Sequence, residues 1–318
     1  MPIDEIIGNL HDIDQNLTLL ATNPTQVAAA MATLQNNVAS LRANANRLPS
    51  PFADMLLKAA GVFEGDLTNS SHDELARGLA NQVAGTCEQI VTGRYPFSRG
   101  TEREVSLADF GRLFGPNGTI DRFFAQNLAT LVDTSKNDWT WRQDSSLART
   151  LSPATLAEFR RAAQIRDAFF ATGGTMPSIT LSVTPPVMTG GEATAKLDIN
   201  GSVVDSRPAA TAGSPSIATV QWPGAGLNRT AITVTAESGL ASALPSIQPA
   251  SQPSVLERNG AWSLFRLIDA GSPVKRGDRV TATFVVGGRE LQYQFGAGSA
   301  QNPLSLPALK EFHCPNRI

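Results

Sequence analysis

The sequence predicts an α+β protein of two domains, an all-helical domain over residues 1–176 followed by an antiparallel β-sandwich over residues 177–318. Up to Met176, apolar residues recur every three or four positions, which is the spacing of amphipathic helices. From Ser178 onward they alternate with polar residues, so that one face of each strand is apolar. A chain of 318 residues is long enough to bury the cores that two domains require.

The first fifty residues predict a helical hairpin. Two amphipathic runs, Ile3 to Leu20 and Val27 to Leu41, are separated by Asn23-Pro24, a capping residue followed by the residue best suited to the first helical position. The apolar stripes could close on the core of the domain or offer a coiled-coil surface to a partner. Neither stripe sustains its seam for long, which favours the core.

Further helices of a bundle are predicted from capping signals. Ser71 with Glu74 and Ser106 with Asp109 have the spacing of capping boxes, and Ser152-Pro153 is typical of a helix start. The helical domain contains no strand signal.

The β-sandwich is predicted from short alternating segments separated by Gly, Pro, Asn and Ser. Pro185-Pro186 is expected to end the first strand, and Gly287-Gly288 to form a two-residue hairpin turn. One short helix is expected near residues 255–269, where Trp262–Ile268 has helical spacing, and it would cover an edge or open end of the sandwich. The other predicted strands are Ala193–Ile199, Ser202–Asp205, Ile217–Trp222, Ala231–Ala236, Arg279–Val286 and Glu290–Phe295.

Charge and hydropathy exclude several partners. The net charge of −2 argues against binding to nucleic acid or to an anionic membrane surface. No apolar run approaches the ~20 residues that span a bilayer, and the sequence begins without the pattern of a signal peptide.

The two cysteines leave two alternatives open. A disulfide between Cys87 and Cys314 would have to join the two halves of the chain, whereas two lone cysteines are more often buried thiols.

Catalytic and cofactor motifs are absent from the sequence. The histidines His11, His72 and His313 lack metal-ligand spacing, and no nucleophile elbow or Walker loop occurs. We therefore expect a protein that is not an enzyme, with no metal and no cofactor.

Several short sequence motifs, which we call phrases, nevertheless occur in an order that is typical of a known family. The order resembles that of the C-terminal periplasmic region of the IcmF/TssM family, the large inner-membrane subunit of type VI secretion systems. The resemblance covers most of the chain from about residue 50, and the first fifty residues resemble the family only in being helical. The phrases are Gly93-Arg94-Tyr95-Pro96-Phe97, Val105–Phe110, Leu113–Gly118, Trp139-Thr140-Trp141, Gly260–Leu267, Asn302-Pro303-Leu304 and Phe312-His313-Cys314-Pro315.

The resemblance implies a structural module in the periplasm, part of a membrane core complex with other subunits and with self-assembly in the full complex. It implies that the β domain binds TssJ, a small outer-membrane lipoprotein, with the helical half as a stalk and the sandwich as a head. The chain would then be a C-terminal fragment without the family's transmembrane helices or its cytoplasmic nucleotide-binding-like domain, and ATPase activity is not expected.

Candidate contact residues for that partner lie in proline-containing segments. We expect apolar surface at Pro185, Pro186, Val187 and Met188, and at Trp222-Pro223, because a rigid proline loop loses little entropy on binding.

An alternative function is a periplasmic carbohydrate- or peptidoglycan-binding β-sandwich. Such a module would need an exposed aromatic platform, and the chain has only four Trp and two Tyr to build one. A hydrolase would need catalytic residues that the sequence does not offer.

Overall fold

The computed structural model describes residues 2–22, 27–188, 193–206, 217–224, 226–236, 254–299 and 301–318. Helices come first and two antiparallel sheets follow, which confirms the predicted fold class. The predicted turn at Asn23-Pro24 lies outside the described residues.

The N-terminal helices form a small bundle with a core of its own. Among their described side chains, helices α1 (Pro2–Thr22), α2 (Val27–Ala45) and α3 (Phe52–Leu79) bury seven in a common cluster. The apolar side chains of α1 are only partly buried, since Ile3 and Ile7 remain 58% and 60% exposed. The buried residues are Ile6, Ile13, Leu34, Val38, Leu41, Ala60 and Leu67.

Helix α3 runs without a break through the position of the first predicted capping box. Ser71 and Glu74 lie inside it, and the helix continues through a π-helical turn at Ala80–Ala84 into α4 (Gly85–Val91). The prediction of a helix start was wrong because the residues before Ser71 are already helical. The amide N–H of Ser71 therefore has a hydrogen-bond acceptor within the helix and does not need a cap.

The remaining helices confirm the other start signals. Helix α5 (Leu107–Phe114) is capped by Ser106, whose Oγ accepts the Asp109 N–H at 3.0 Å. Helices α6 (Thr119–Phe123) and α7 (Pro153–Phe169) follow. A small ribbon of β1 (Val132–Asp133) and β2 (Thr140–Trp141) was not predicted, since two residues are too few to show an alternation.

Within the described ranges, the sandwich consists of a five-stranded and a four-stranded sheet, in the orders β6-β3-β11-β10-β9 and β5-β4-β7-β8, with every neighbouring pair antiparallel. Strands β8 and β9 were not predicted, and β9 is exposed at all three positions. The strands are β3 (Ile179–Met188), β4 (Ala193–Ile199), β5 (Ser202–Asp205), β6 (Ala218–Trp222), β7 (Arg229–Ala236), β8 (Val255–Asn259), β9 (Val274–Arg276), β10 (Arg279–Val286) and β11 (Arg289–Ala297).

Strand β3 continues through Pro185-Pro186, so the prediction that these prolines end it was wrong. Thr184 pairs with Gln294 and Val187 pairs with Gln292, which leaves the two prolines opposite one residue of β11. This is the geometry of a β-bulge, where the ladder is interrupted and a residue without an N–H costs little.

Helix α8 (Ser263–Ala270) confirms the predicted short helix and shows what it covers. It packs on β7 and β8 and faces the helical part of the chain, where the indole N–H of Trp262 donates to the Val105 carbonyl at 2.7 Å. A last short helix, α9 (Ala308–Glu311), follows the sandwich.

Aromatic rings from both halves meet at what we call the aromatic junction, formed by Phe110, Phe169, Trp222, Trp262 and Phe265. The ring of Trp262 lies 5.0 Å from that of Trp222, 5.1 Å from that of Phe110 and 5.2 Å from that of Phe265. All five side chains are buried. The core therefore continues across residue 177, and the division into domains at that position stays a prediction.

Cys87 and Cys314 form a disulfide, so the interpretation of both as buried thiols was wrong. Their Cα atoms lie 5.7 Å apart although 227 positions separate them in the sequence. The pairing depends on the C-terminal residues returning across the helical part, which no local sequence pattern reveals.

We expect Trp262→Ala to lower the free energy of unfolding by about 3–5 kcal/mol, because it leaves a cavity at the centre of the aromatic junction. Urea denaturation followed by circular dichroism measures this change. Val285→Ala, at a side chain that is 41% exposed, is the control and should change stability by less than about 0.5 kcal/mol. Equal effects of the two substitutions would contradict the central role of the junction.

Candidate interaction surfaces

The two ends of the sandwich differ in their surroundings. At the near end, Trp222 pairs with Ile179, and the Ser178 N–H donates to the Phe169 carbonyl of α7 at 2.8 Å. At the far end, Met188 pairs with Leu291 beside the tight turn between β10 and β11. The near end therefore abuts the helical part, whereas the far end points away from it.

The structure corrects the prediction that Trp222 presents apolar surface to a partner. Its side chain is fully buried in the aromatic junction, and its indole N–H donates to the Ala261 carbonyl at 3.1 Å. It cannot present apolar surface to a partner. The alternation within β6 already carried this information, since Val220 and Trp222 share the inward face of the strand.

The loop that follows Trp222 does present apolar surface at the near end. Pro223 is half-buried, and Leu227 in the same loop is 63% exposed. Leu227 was missed in the sequence because a single apolar residue in a loop carries no periodic signal.

The other predicted residues lie at the far end, on the last part of β3. Pro185 and Pro186 are half-buried, and the backbones of Val187 and Met188 pair with β11. Strand β6 accompanies β3 only as far as Val183. Residues 184–188 thus have a strand on one side and, within the described residues, none on the other. The two groups of predicted contact residues, Pro185–Met188 and Trp222-Pro223, therefore do not form one surface, because they occupy opposite ends of the sandwich.

The aromatic side chains are placed unfavourably for a sugar-binding platform. Trp141, Trp222 and Trp262 are buried, as are both tyrosines. Trp139 is half-buried and packs against Phe124, with ring centroids 5.0 Å apart. No tryptophan or tyrosine ring is therefore exposed on the surface of the sandwich, and all six of these residues belong to the described part of the chain.

One partly buried ionic cluster links the helical part to α8, and we call it the ionic latch. Arg266 Nε donates to Glu104 Oε1 at 2.7 Å, and its guanidinium lies 4.3 Å from the centre of the Tyr95 ring. The Tyr95 hydroxyl donates to Asp269, which also pairs with Arg99 at 2.6 Å.

The ionic latch offers no reactive group. Burial, followed by the charge of Asp269, raises the pKa of Tyr95 well above its ordinary range, so the phenol stays protonated and donates its hydrogen bond. Each charge in the latch has a partner. Across the described ranges, no group of three or more His, Cys, Asp or Glu side chains is arranged to hold a metal ion. The latch therefore positions the loop over residues 93–105 against α8.

The grooves on the described helical part include one that is lined mainly by polar side chains and one that is lined by aromatic rings. The larger, of about 600 Å³, is lined by Glu64, Glu74 and Asp144 together with hydroxyl and amide side chains. The smaller, of about 230 Å³, is lined by the rings of Phe124 and Trp139, among others. In the larger groove, the Glu64 carboxylate pairs with Arg42 and the Asp144 carboxylate with Arg142, so both are engaged in ion pairs.

Two family models match the chain in succession. Residues 71–175 match the type VI secretion protein IcmF helical domain, and residues 181–299 match the type VI secretion protein IcmF C2-like domain. The chain belongs to the IcmF/TssM family. The gap between the two matches, residues 176–180, lies after the end of α7 and includes the first residues of β3, and residues 1–70 and 300–318 also lie outside both matches.

A curated relative and solved structures agree with this family. The chain is 31% identical to the type VI secretion system component TssM1 of Pseudomonas aeruginosa PAO1, over all of this chain and 28% of the relative. It thus spans less than a third of that relative's length.

Among solved structures, the C-terminal domain of TssM from EAEC aligns with a TM-score of 0.62 at 18% identity, covering 78% of this chain and 99% of that one. A chain of a type VI secretion system membrane core complex aligns with a TM-score of 0.68 at 18% identity, covering 88% and 57%. These structural matches show that the IcmF/TssM chain shares their fold.

We expect Arg266→Met to lower the free energy of unfolding by about 2–4 kcal/mol, because the Glu104 carboxylate is left partly buried without its cation. Adding Glu104→Gln should restore part of the loss, since no charge then stays uncompensated. Chemical denaturation of the two single variants and the double variant measures this coupling.

The matched control is Arg47→Met. Arg47 pairs with Glu5 at 3.0 Å, but both side chains are more than half exposed. Such a pair contributes less than about 1 kcal/mol. If Arg47→Met costs as much as Arg266→Met, the latch has no special role in stability.

Proposed function

We propose that this chain is a structural module of the type VI secretion membrane core complex that works in the periplasm and binds the outer-membrane lipoprotein TssJ through its sandwich. The observation that carries the proposal is the 31% identity to TssM1 over the entire chain. The likeness in fold to a chain of a type VI secretion system membrane core complex supports the same assignment.

The Cys87–Cys314 disulfide supports a periplasmic location. Disulfides persist in oxidising compartments and are rare where glutathione and thioredoxin keep thiols reduced. No helix in the described part of the chain is long and apolar enough to cross a membrane.

A structural role rather than an enzymatic one is supported by the chemistry of the polar clusters. The ionic latch pairs its charges internally, and the pKa of the buried Tyr293 is raised by burial, which keeps that phenol neutral. These groups stabilise the fold and are unsuited to proton transfer near neutral pH.

We place the TssJ contact at the far end of the sandwich, on the segment Pro185–Met188. The near end already packs on the helical part, through the contact of the Trp222 ring with that of Phe169 and the hydrogen bond from the Ser178 N–H to the Phe169 carbonyl. Beyond Val183, by contrast, β3 has a described strand on one side only. The proline pair removes two backbone donors there, which disfavours unspecific strand pairing and leaves an apolar contact surface.

Isothermal titration calorimetry with the TssJ ectodomain, produced without its lipid, tests the proposal. We expect the unmodified chain to bind, and Val187→Asp to weaken binding by about tenfold or more, because a carboxylate would be buried without a partner. The matched control is Leu227→Asp, at an exposed aliphatic residue of the near end, and it should change affinity less than about twofold.

The possible outcomes distinguish whether the chain binds TssJ from where on the sandwich TssJ binds. If the unmodified chain gives neither heat nor a complex on gel filtration, TssJ binding is wrong. If Leu227→Asp weakens binding and Val187→Asp does not, the partner sits at the near end. No observation favours peptidoglycan binding, and the buried tryptophan rings argue against it.

A further inference from the structure

The last residues of the chain form a separate covering element, which we call the C-terminal segment, residues 302–318. It starts on the sandwich, where the Asn302 side-chain amide donates to the Phe295 and Asp278 carbonyls at 3.0 and 3.1 Å. It ends on the helical part, where the Thr155 hydroxyl donates to the Arg317 carbonyl. The segment therefore spans both halves of the chain.

Its apolar side chains pack at the rim of the aromatic junction. The ring of Phe312 lies 5.0 Å from that of Phe114 and 5.8 Å from that of Phe97, and it is 4% exposed. The His313 N–H donates to the Glu158 carboxylate of α7 at 2.9 Å. Phe312 makes no ring contact with the two tryptophans at the centre of the junction, since its neighbours are phenylalanines of the rim.

The disulfide joins this segment to the helical part. Cys87 is completely buried in α4, and Cys314 is partly buried two residues after Phe312. Cys314 reaches Cys87 only when the segment already lies across the helices. In the folded protein, the bond therefore holds the segment in its docked position across the helices.

We propose that the Cys87–Cys314 disulfide is an oxidation-dependent lock on the C-terminal segment. In the oxidised protein the segment is fixed over α4 and α7. In the reduced protein the segment opens and closes locally, while the aromatic junction keeps the helical part and the sandwich together. Opening uncovers Phe97 and Phe114, so the redox state controls an apolar surface beside the junction.

The reaction is a thiol–disulfide exchange. The two thiols become one disulfide, and their two electrons and two protons pass to a second disulfide, which leaves as two thiols. Oxidised glutathione serves as that oxidant in vitro. Because the closed loop includes most of the chain, the bond also removes many conformations in which the segment is undocked.

Hydrogen–deuterium exchange of the full chain tests the lock. We expect amides of the C-terminal segment to exchange about tenfold faster or more after reduction, and equally fast in Cys87→Ser/Cys314→Ser. Amides of the β10–β11 ladder should change less than about twofold. The reporting amides are those with backbone acceptors in the segment, namely Ser305, Leu306, Leu309, Lys310, Glu311 and Phe312.

Reductant applied to the double serine variant is the matched control and should have no further effect. Tryptic digestion of the oxidised protein without reductant should yield residues 78–94 linked to residues 311–317. Free thiols at both positions after treatment with oxidised glutathione would overturn the proposal. Protection of the segment amides that is unchanged by reduction would also overturn it, because the bond would then have no effect on the segment. An equal loss of protection in the segment and in the β10–β11 ladder would overturn it too, because the bond would then stabilise the whole fold.

Discussion

The packing of rings around Trp262 is the interaction on which the rest of the structure depends. Rings from α5, α7, β6 and α8 converge on this one side chain, and its indole N–H is bonded to the Val105 carbonyl. Aromatic side chains bury large areas, and their edge-to-face contacts fix the angle at which elements meet. The helical part and the sandwich consequently share one dense core, and close packing of this kind resists a change in their relative orientation.

That shared core explains how the surfaces of the molecule are divided. The near end of the sandwich holds the helical part, with the ionic latch and the C-terminal segment at the rim of the contact. The far end does not pack on the helical part, and it is there that we propose the contact with the partner. Helix α3 links this body to the N-terminal bundle, because Leu67 belongs to the bundle's core and Leu79 to the main one. A densely packed body connected to the bundle through one continuous helix agrees with the structural role that we propose.

The candidate contact residues show where sequence reasoning holds and where it fails. Pro185 and Pro186 were expected to end the strand, but the register against β11 shows that they form a bulge within it. Trp222 was misplaced on the surface although the alternation of β6 puts it inside. A proline neighbour indicates a turn, yet it says nothing about the direction of the preceding side chain. Leu227 carried no sequence signal at all.

The sequence by itself determined the class of most of the longer elements, because helical and strand periodicities are local properties of five to twenty residues, whereas the short strands β1, β2, β8 and β9 were not predicted. It also determined the family, through the order of its phrases. Only the tertiary structure decided the Cys87–Cys314 bond, the convergence of rings on Trp262 and the pairing of Arg266 with Glu104. The disulfide joins residues 227 positions apart and the ion pair joins residues 162 positions apart, whereas the rings around Trp262 come from four different elements. Such contacts follow from how the faces of elements meet, and a local pattern fixes a face without fixing its partner.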